Sequence, residues 1–270
     1  MKICNISVLG SGGKMGREVI KQIFFDKRFK LVSAVEQYAE RFVNQDAMAF
    51  LGETSGIKVN SDLKELVNNK PNVVIDFSTP ESTMRMLKHC ANNKIGVVIG
   101  TTGFKDNQLN IMRHYSEKIP ILLSANMSLG VNKLFSLVTE TCKILGNGYD
   151  VEILEAHHKH KIDAPSGTAL HLGKIVAENM GFPDPVKTSF CFSRANRQSS
   201  RKNNEIGFSS IRGGDIVGKH ALLFIANGET LEITHTSSSR ASYATGALAA
   251  AQFVSKQKKG FYEMKDAIGN

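Results

Sequence analysis

A short β-branched run, Lys2 to Leu9, opens into Gly10-Ser11-Gly12-Gly13-Lys14-Met15-Gly16-Arg17, after which Val19, Ile20, Ile23 and Phe24 recur at helical spacing. Strand, glycine loop and helix in that order constrain the chain more than any other stretch. The glycines fit G-x-x-G-x-x-G better than the strict G-x-G-x-x-G fingerprint. The physics is the same: backbone without side chains lets a pyrophosphate approach the N–H groups and positive dipole end of the following helix. A second strand, Leu31 to Val35, ends in Glu36. A carboxylate there, about 20 residues past the glycines, is where a Rossmann fold hydrogen-bonds the adenosine ribose. The alternative for Glu36 is a solvated strand-end charge; loop and carboxylate in register favour a dinucleotide.

The following segments extend the alternation. Tyr38 to Leu51 is expected to be helical, Ile57 to Val59 a brief strand, and Asp62 to Val67 a short helix. Near-continuous apolar runs at Asn72 to Phe77, Ile95 to Ile99 and Ile119 to Leu123 predict strands buried on both faces, with helices over Glu81 to Ala91 and Asp106 to Glu117. Ligands of such sheets sit beyond the carboxyl ends of the strands. Gly100, Thr101 and Thr102, and Ser124, Ala125, Asn126 and Met127, are therefore candidate cofactor contacts, with ordinary turn chemistry as the competing reading. Near Ser128 the pattern changes: a helix over Leu129 to Leu145, a strand over Tyr149 to Ala156, and a helix over Ala164 to Met180. Antiparallel strands are then expected at Ile206 to Ile211, Val217 to Ala226 and Thr230 to His235, joined by turns at Gly213-Gly214-Asp215 and Asn227-Gly228. A last helix, Ala241 to Val254, closes the chain. The fold class is α/β: an N-terminal Rossmann-type parallel sheet, then a second α+β domain on a mixed or antiparallel sheet.

With 270 residues and 41% hydrophobic content, the chain can bury a substantial core. The N-terminus is too polar for a signal peptide, and no apolar run approaches the ~18 residues of a membrane span, so no membrane partner is expected. Four scattered cysteines fit neither a disulfide framework nor a cysteine zinc site, pointing to a reducing compartment. A net charge of +9 attracts anions, small substrates as readily as nucleic acid. The densest basic segment, Ser193 to Lys202, lacks interleaved aromatics and reads as a solvated loop, so no nucleic-acid partner is expected.

The chemistry concentrates at Glu152 to Ala169, E-I-L-E-A-H-H-K-H-K-I-D-A-P-S-G-T-A. Three readings compete for His157 to Lys161. A metal would need converging imidazoles and a carboxylate, but only His157 and His160 have helical spacing, and the adjacent lysines repel a divalent cation; no metal is expected. A solvated loop is the second reading. The third is acid–base catalysis on an anion, since imidazole exchanges protons near neutrality. The turn Ser166-Gly167-Thr168 before a helix fits the third, because it offers N–H groups and hydroxyls to a carboxylate.

That stretch, with G-S-G-G-K-M-G-R at 10–17, D-F-S-T-P at 76–80, G-T-T-G-F at 100–104, S-A-N-M-S-L-G-V-N at 124–132 and I-G-F-S-S-I-R-G-G-D-I-V-G-K-H at 206–220, resembles the 4-hydroxy-tetrahydrodipicolinate reductase (dihydrodipicolinate reductase) family. The resemblance spans essentially the whole chain. It implies a cytoplasmic, usually homotetrameric enzyme of diaminopimelate and lysine biosynthesis. Such an enzyme reduces a cyclic dicarboxylate with loss of water, using NADH or NADPH. It implies a dinucleotide-binding domain at 1–127, a substrate and assembly domain at 128–238, and a C-terminal segment, 239–270, returning to the first. Carried onto this sequence, His157 is the acid–base residue and Lys161 the proton donor, while His158, Gly167 and Thr168 hold the substrate carboxylate. Gly10, Ser11, Gly12, Gly13, Lys14, Met15, Glu36, Gln37, Gly100, Thr101, Thr102, Ser124, Ala125, Asn126 and Met127 hold the nucleotide. Many members carry arginine where this chain has Gln37. Glu36 repels a 2′-phosphate and Gln37 offers only neutral hydrogen bonds, so NADH is the expected preference, with Lys14 leaving NADPH open. Two other functions remain on the sequence alone: a dehydrogenase of aspartate or homoserine, and a nucleotide-sensing regulator that binds nucleic acid.

Overall fold

The computed structural model describes residues 3–181, 190–195 and 198–269. Lys2, expected in the first strand, and Asn196 and Arg197, within the basic segment, lie outside the described residues. In chain order the elements are β1 (Cys4–Leu9), α1 (Lys14–Phe25), β2 (Phe29–Val35), β3 (Val59–Asn60), α2 (Glu65–Asn68), β4 (Val73–Asp76), α3 (Pro80–Asn92), β5 (Gly96–Ile99), α4 (Asp106–Ser116) and β6 (Pro120–Leu123). There follow α5 (Leu129–Leu145), β7 (Asp150–His157), α6 (Gly167–Asn179), β8 (Phe190–Cys191), β9 (Ile206–Arg212), β10 (Gly218–Ala226), β11 (Glu229–Ser237), α7 (Ala241–Val254), β12 (Gly260–Tyr262) and α8 (Met264–Ile268). They form two compact units, Met1–Leu129 with Arg240–Asn270, and Gly130–Ser239.

The first unit is built on a seven-stranded sheet in the order β12-β6-β5-β4-β1-β2-β3. All its pairings are parallel. Alternation along the strands explains why their apolar runs are continuous. Val73, Ile75 and Val98 face a core shared with Val19 and Ile20 of α1 and Ala247 and Ala251 of α7. Val74, Val97 and Ile99 face the opposite core with Met86 and Leu87 of α3 and Met112 of α4. β1 lies between β2 and β4, so the chain reverses its direction of travel across the sheet there, and the glycine loop emerges at that switch point.

Two expectations fail in this unit. Tyr38 to Leu51 is not an α-helix; it makes only short 3₁₀ turns at Glu40–Phe42 and Ala49–Leu51. Asn44 and Ala47 N–H bond instead to the carbonyls of Val59 and Ile57, and the Asp46 carboxylate takes Met48 N–H while accepting from Ser55 N–H, the Ser55 hydroxyl and Gly56 N–H, tying the stretch to the segment before β3. Nor does the helix at Ala241 close the chain: β12 pairs with β6 and adds an edge strand, and α8 follows.

The second unit carries a five-stranded mixed sheet, β11-β10-β7-β9-β8. Asn227-Gly228 makes the expected two-residue hairpin, with Ala226 opposite Glu229. Gly213-Gly214-Asp215 does not make the expected one. β9 runs parallel to β7 and β10 antiparallel to it on the other side, so the glycine turn bridges over the end of β7. Gly213 N–H bonds to the His157 carbonyl (3.0 Å) and Lys159 N–H to the Gly214 carbonyl (3.2 Å). A turn motif encodes a reversal but not which strand lies between its arms.

Cross-strand register divides one face of this sheet into two zones. Ile153 lies opposite Phe208 and Leu222, and Val151 opposite Ile206 and Phe224, beneath the apolar faces of α5 and α6. One step further along, Glu155 lies opposite Ser210 and His220, His220 opposite His235, and His157 opposite Arg212. The apolar half fixes the sheet under its helices. The polar half is the site. The basic segment is also more tied down than a solvated loop: Arg194 bridges Glu152 and Glu205, and Arg201 bridges Asp150 and Glu152.

Candidate active site

In the first unit, backbone bonds continue past each strand end. Gly10 N–H reaches the Val35 carbonyl, Phe77 N–H that of Leu9, Gly100 N–H that of Asp76, and Ser124 N–H that of Ile99. The expected nucleotide contacts are thus stitched along one rim. Gly10 has φ +78°, and a Cβ there would lie 2.3 Å from the Phe77 carbonyl oxygen, so both conformation and space require glycine. Gly13 caps α1 without a side-chain acceptor, and no acidic residue occupies its first turn, so the helix presents open donors where a pyrophosphate would lie. Lys14 is exposed at its first position, followed by half-buried Met15.

The Glu36 carboxylate is 7% exposed and clasps the loop, accepting from Gly12 N–H (2.9 Å) and Tyr38 N–H (3.0 Å). A carboxylate has further lone pairs, so ribose hydroxyls remain chemically compatible with it. The Gln37 amide oxygen accepts from Ser82 Oγ and Arg85 Nη2 of α3, both at 2.9 Å. Thr101 is buried and its Oγ1 accepts from Ser78 N–H (2.9 Å), while Thr102 is exposed. Ser124 Oγ bonds to the Asn126 carbonyl, and the Asn126 side chain accepts from Ser128 N–H. Ala125 is exposed, whereas the Met127 side chain packs into the core.

Asp76 went unsuspected in the sequence. Fully buried, it accepts from the hydroxyls of Ser78 and Thr83, both at 2.5 Å, and so braces the loop that leads into α3. Burial raises its pKa to about 6, against the lowering effect of these hydrogen bonds. The only sequence signal was a carboxylate two residues before serine at a strand end.

In the second unit, His157 terminates β7 with its Nδ1 2.5 Å from Glu155 Oε2. Glu155 is gripped by the Arg212 guanidinium through two bonds (2.8 and 2.6 Å) and by Ser166 N–H (3.2 Å). Burial alone would raise the Glu155 pKa, but hydrogen bonds from Arg212, Ser210 and His157 overcome it and hold the carboxyl at about 2. Glu155 is therefore an acceptor only, so Nδ1 of neutral His157 carries the proton and Nε2 presents its lone pair. Burial depresses the His157 pKa against the opposing pull of Glu155.

Lys161 Nζ lies 2.8 Å from Asp163 Oδ1, an ion pair that lowers the Asp163 pKa. His158 to Lys161 form a turn rather than a helix, closed by Lys161 N–H to the His158 carbonyl (3.1 Å). The His158 Nδ1 is buried without a hydrogen-bond partner. Ser166 caps α6 by accepting from Ala169 N–H (3.2 Å), leaving Gly167 and Thr168 in the first turn. A Cβ at Gly167 would meet nothing within 4 Å, so the space above that turn is open. Behind the cap, Ser166 Oγ lies 2.9 Å from Nε2 of buried His220, whose pKa burial lowers to about 4. Its ring meets that of His157 edge-on, with centroids 5.2 Å apart. The structure thus gathers His157, Lys161 and the Ser166 turn around Glu155, Arg212 and His220, three residues to which sequence reasoning gave no role. Glu155 had left a signal, a charge at an inward position of a buried strand, two residues before His157.

Family comparison matches residues 4–127 to the family model described as Dihydrodipicolinate reductase, N-terminus, and residues 130–268 to its C-terminus counterpart. The chain is 43% identical to the 4-hydroxy-tetrahydrodipicolinate reductase of Nitrosomonas eutropha over 269 residues, covering 100% of this chain and 99% of that one. It is 44% identical to the enzyme of the same name from Ralstonia nicotianae over 264 residues, covering 98% and 99%. Among solved structures, a dipicolinate-bound dihydrodipicolinate reductase from Paenisporosarcina sp. TG-14 shares the fold, with a TM-score of 0.77 at 24% identity, covering 99% of this chain and 100% of that one. Both halves of the family model are matched in order and relatives above 40% identity run along its whole length, so the chain belongs to the dihydrodipicolinate reductase family.

Proposed function

We propose that the chain reduces 4-hydroxy-tetrahydrodipicolinate to tetrahydrodipicolinate with a reduced nicotinamide cofactor, in diaminopimelate and lysine biosynthesis. The observation that carries this reading is the Glu155-held His157 beside an open, serine-capped helix start, because a dianionic ring that must lose water needs both a proton handler and anion donors. Loss of water moves one proton from the ring and one onto the leaving hydroxyl; addition of hydride requires one further proton. The nicotinamide, when bound, supplies the hydride. His157 Nε2 takes and returns a proton, and the Lys161 ammonium donates one. Asp163 holds Lys161 until a substrate carboxylate competes for it. His158 and the first turn at Gly167 and Thr168 hold the carboxylate.

The glycine loop, the α1 donors and Glu36 fit a dinucleotide, with Gly100 to Thr102 and Ser124 to Met127 along the same rim. Glu36 opposes a 2′-phosphate and Gln37 brings no charge, which favours NADH. The reading includes a cytoplasmic homotetramer, which sedimentation would test. The deciding experiment is NADH oxidation with enzymatically generated substrate. Substrate-dependent turnover supports the reading, and its absence with both NADH and NADPH sinks it.

A further inference from the structure

We propose that Arg85 on α3 is the cation that receives the 2′-phosphate when this chain binds NADPH; the proposal rests on the reductase reading for the nucleotide itself. Gln37 follows the ribose carboxylate Glu36 directly, so its side chain stands where a group attached to the ribose would arrive. Its amide carries no charge. Its oxygen, however, accepts from Arg85 Nη2 at 2.9 Å, which stations a guanidinium from 48 positions along the chain at that spot. The same oxygen accepts from Ser82 Oγ at 2.9 Å, so two bonds fix the amide and its NH₂ group makes no described hydrogen bond.

Further polar groups surround this pair. Thr79 caps α3 and its hydroxyl donates to Ser82 Oγ, while the exposed Tyr38 phenol lies close to both. A guanidinium, an amide NH₂ and three hydroxyls therefore meet at the first turns of a 13-residue helix, one residue past the ribose carboxylate. Arg85 is exposed, and its one described hydrogen bond is to Gln37, so further guanidinium N–H groups are left to donate to a phosphate. Lys14, the other cation considered for NADPH, stands at the first position of α1, at the pyrophosphate end of the loop. Glu36 still disfavours the extra charge. Arg85 accordingly makes NADPH a usable second cofactor without making it the preferred one.

The test is direct binding of NADH and NADPH without substrate, by calorimetry or by nicotinamide fluorescence. Wild type, Arg85→Ala and Arg85→Lys are compared at two salt concentrations. The expected result is a ratio of NADPH Kd to NADH Kd that rises at least tenfold in Arg85→Ala and less in Arg85→Lys, with a weaker salt dependence of NADPH binding in Arg85→Ala. An unchanged ratio in Arg85→Ala overturns the proposal, as does a wild type that binds NADH but not NADPH. Failure of both nucleotides to bind wild type is a different outcome: it rejects the cofactor reading, and this inference with it.

Discussion

Glu155 and His157 lie two residues apart on β7, side by side on one face, with the carboxylate accepting the imidazole Nδ1–H at 2.5 Å. The arrangement follows from strand geometry, since alternate side chains share a face. Its strength comes from elsewhere. Arg212, opposite His157 on β9, pays the electrostatic cost of burying Glu155 and keeps it ionised, so the imidazole is held in one tautomer.

Glu155→Gln should leave the shape of the site and remove its charge. An amide can present either oxygen or NH₂ to Nδ1, so the tautomer is no longer fixed, and Arg212 loses its counter-charge. We expect kcat to fall roughly 10²-fold, at the low end of a general acid–base contribution. Glu155 raises the His157 pKa, so the acid limb of the pH–kcat profile should move to lower pH. A profile of unchanged shape would mean that Glu155 does not act through His157.

His157→Ala and Lys161→Ala should each lower kcat by about 10²- to 10⁴-fold while the circular dichroism and thermal midpoint stay near wild type. Thr168→Val should instead raise KM with little change in kcat, because it deletes a hydroxyl from the carboxylate turn. Steady-state kinetics separate the two classes. Near-wild-type turnover in both alanine variants would remove His157 and Lys161 from the mechanism.

Local chemistry made much of this legible. Apolar runs gave the parallel strands, Gly10 to Arg17 gave the loop, and Ser166 gave a helix start at the expected place. What was missed depends on long-range register. Glu155, Arg212 and His220 meet because β7 separates β9 from β10, an order that the glycine turn between those two strands conceals. Arg85 escaped notice beside Gln37 for the same reason: it belongs to another element. The helix expected over Tyr38 to Leu51 gave way to long-range partners as well: Asn44 and Ala47 N–H bond to the carbonyls of Val59 and Ile57, and Met48 N–H bonds to the Asp46 carboxylate.

The two units should respond to acid with opposite sign. The folded-state pKa of His220 is about 4 against an ordinary 6.5, so between these values the unfolded chain takes a proton that the folded one refuses. Its contribution is complete above pH 6.5 and is lost as pH falls toward 4. Glu155, at about 2 against 4.5, loses its contribution in the next window down. Asp76 runs the other way: raised from 3.8 to about 6, it stabilises the fold below 3.8 and loses that contribution as pH rises through 6. Regional hydrogen exchange at pH 7 and pH 5 should show β7 and β10 losing protection on acidification relative to β4. His220→Asn should flatten the response of β7 and β10, and Asp76→Asn that of β4. Parallel changes in both units would contradict this assignment.

Gly16 and Gly167 both belong to the beginnings of helices, and the same substitution should affect them oppositely. A Cβ at Gly16 would lie 2.1 Å from the Gly10 carbonyl oxygen and 2.9 Å from Ser11 Cα, backbone atoms that cannot rotate away. Gly16→Ala must lift α1 off its loop, an overpacking cost of about 1–3 kcal/mol, and should lower the thermal midpoint while weakening nucleotide binding at least tenfold. At Gly167 a Cβ meets nothing within 4 Å and alanine is the better helix former, so Gly167→Ala should leave the midpoint unchanged or slightly raised. The added methyl would stand in the open space over the carboxylate turn, so KM for substrate should rise while nucleotide affinity holds. Thermal denaturation, nucleotide titration and substrate kinetics on both variants separate these outcomes, and a Gly167→Ala enzyme with unaltered KM would place the carboxylate elsewhere.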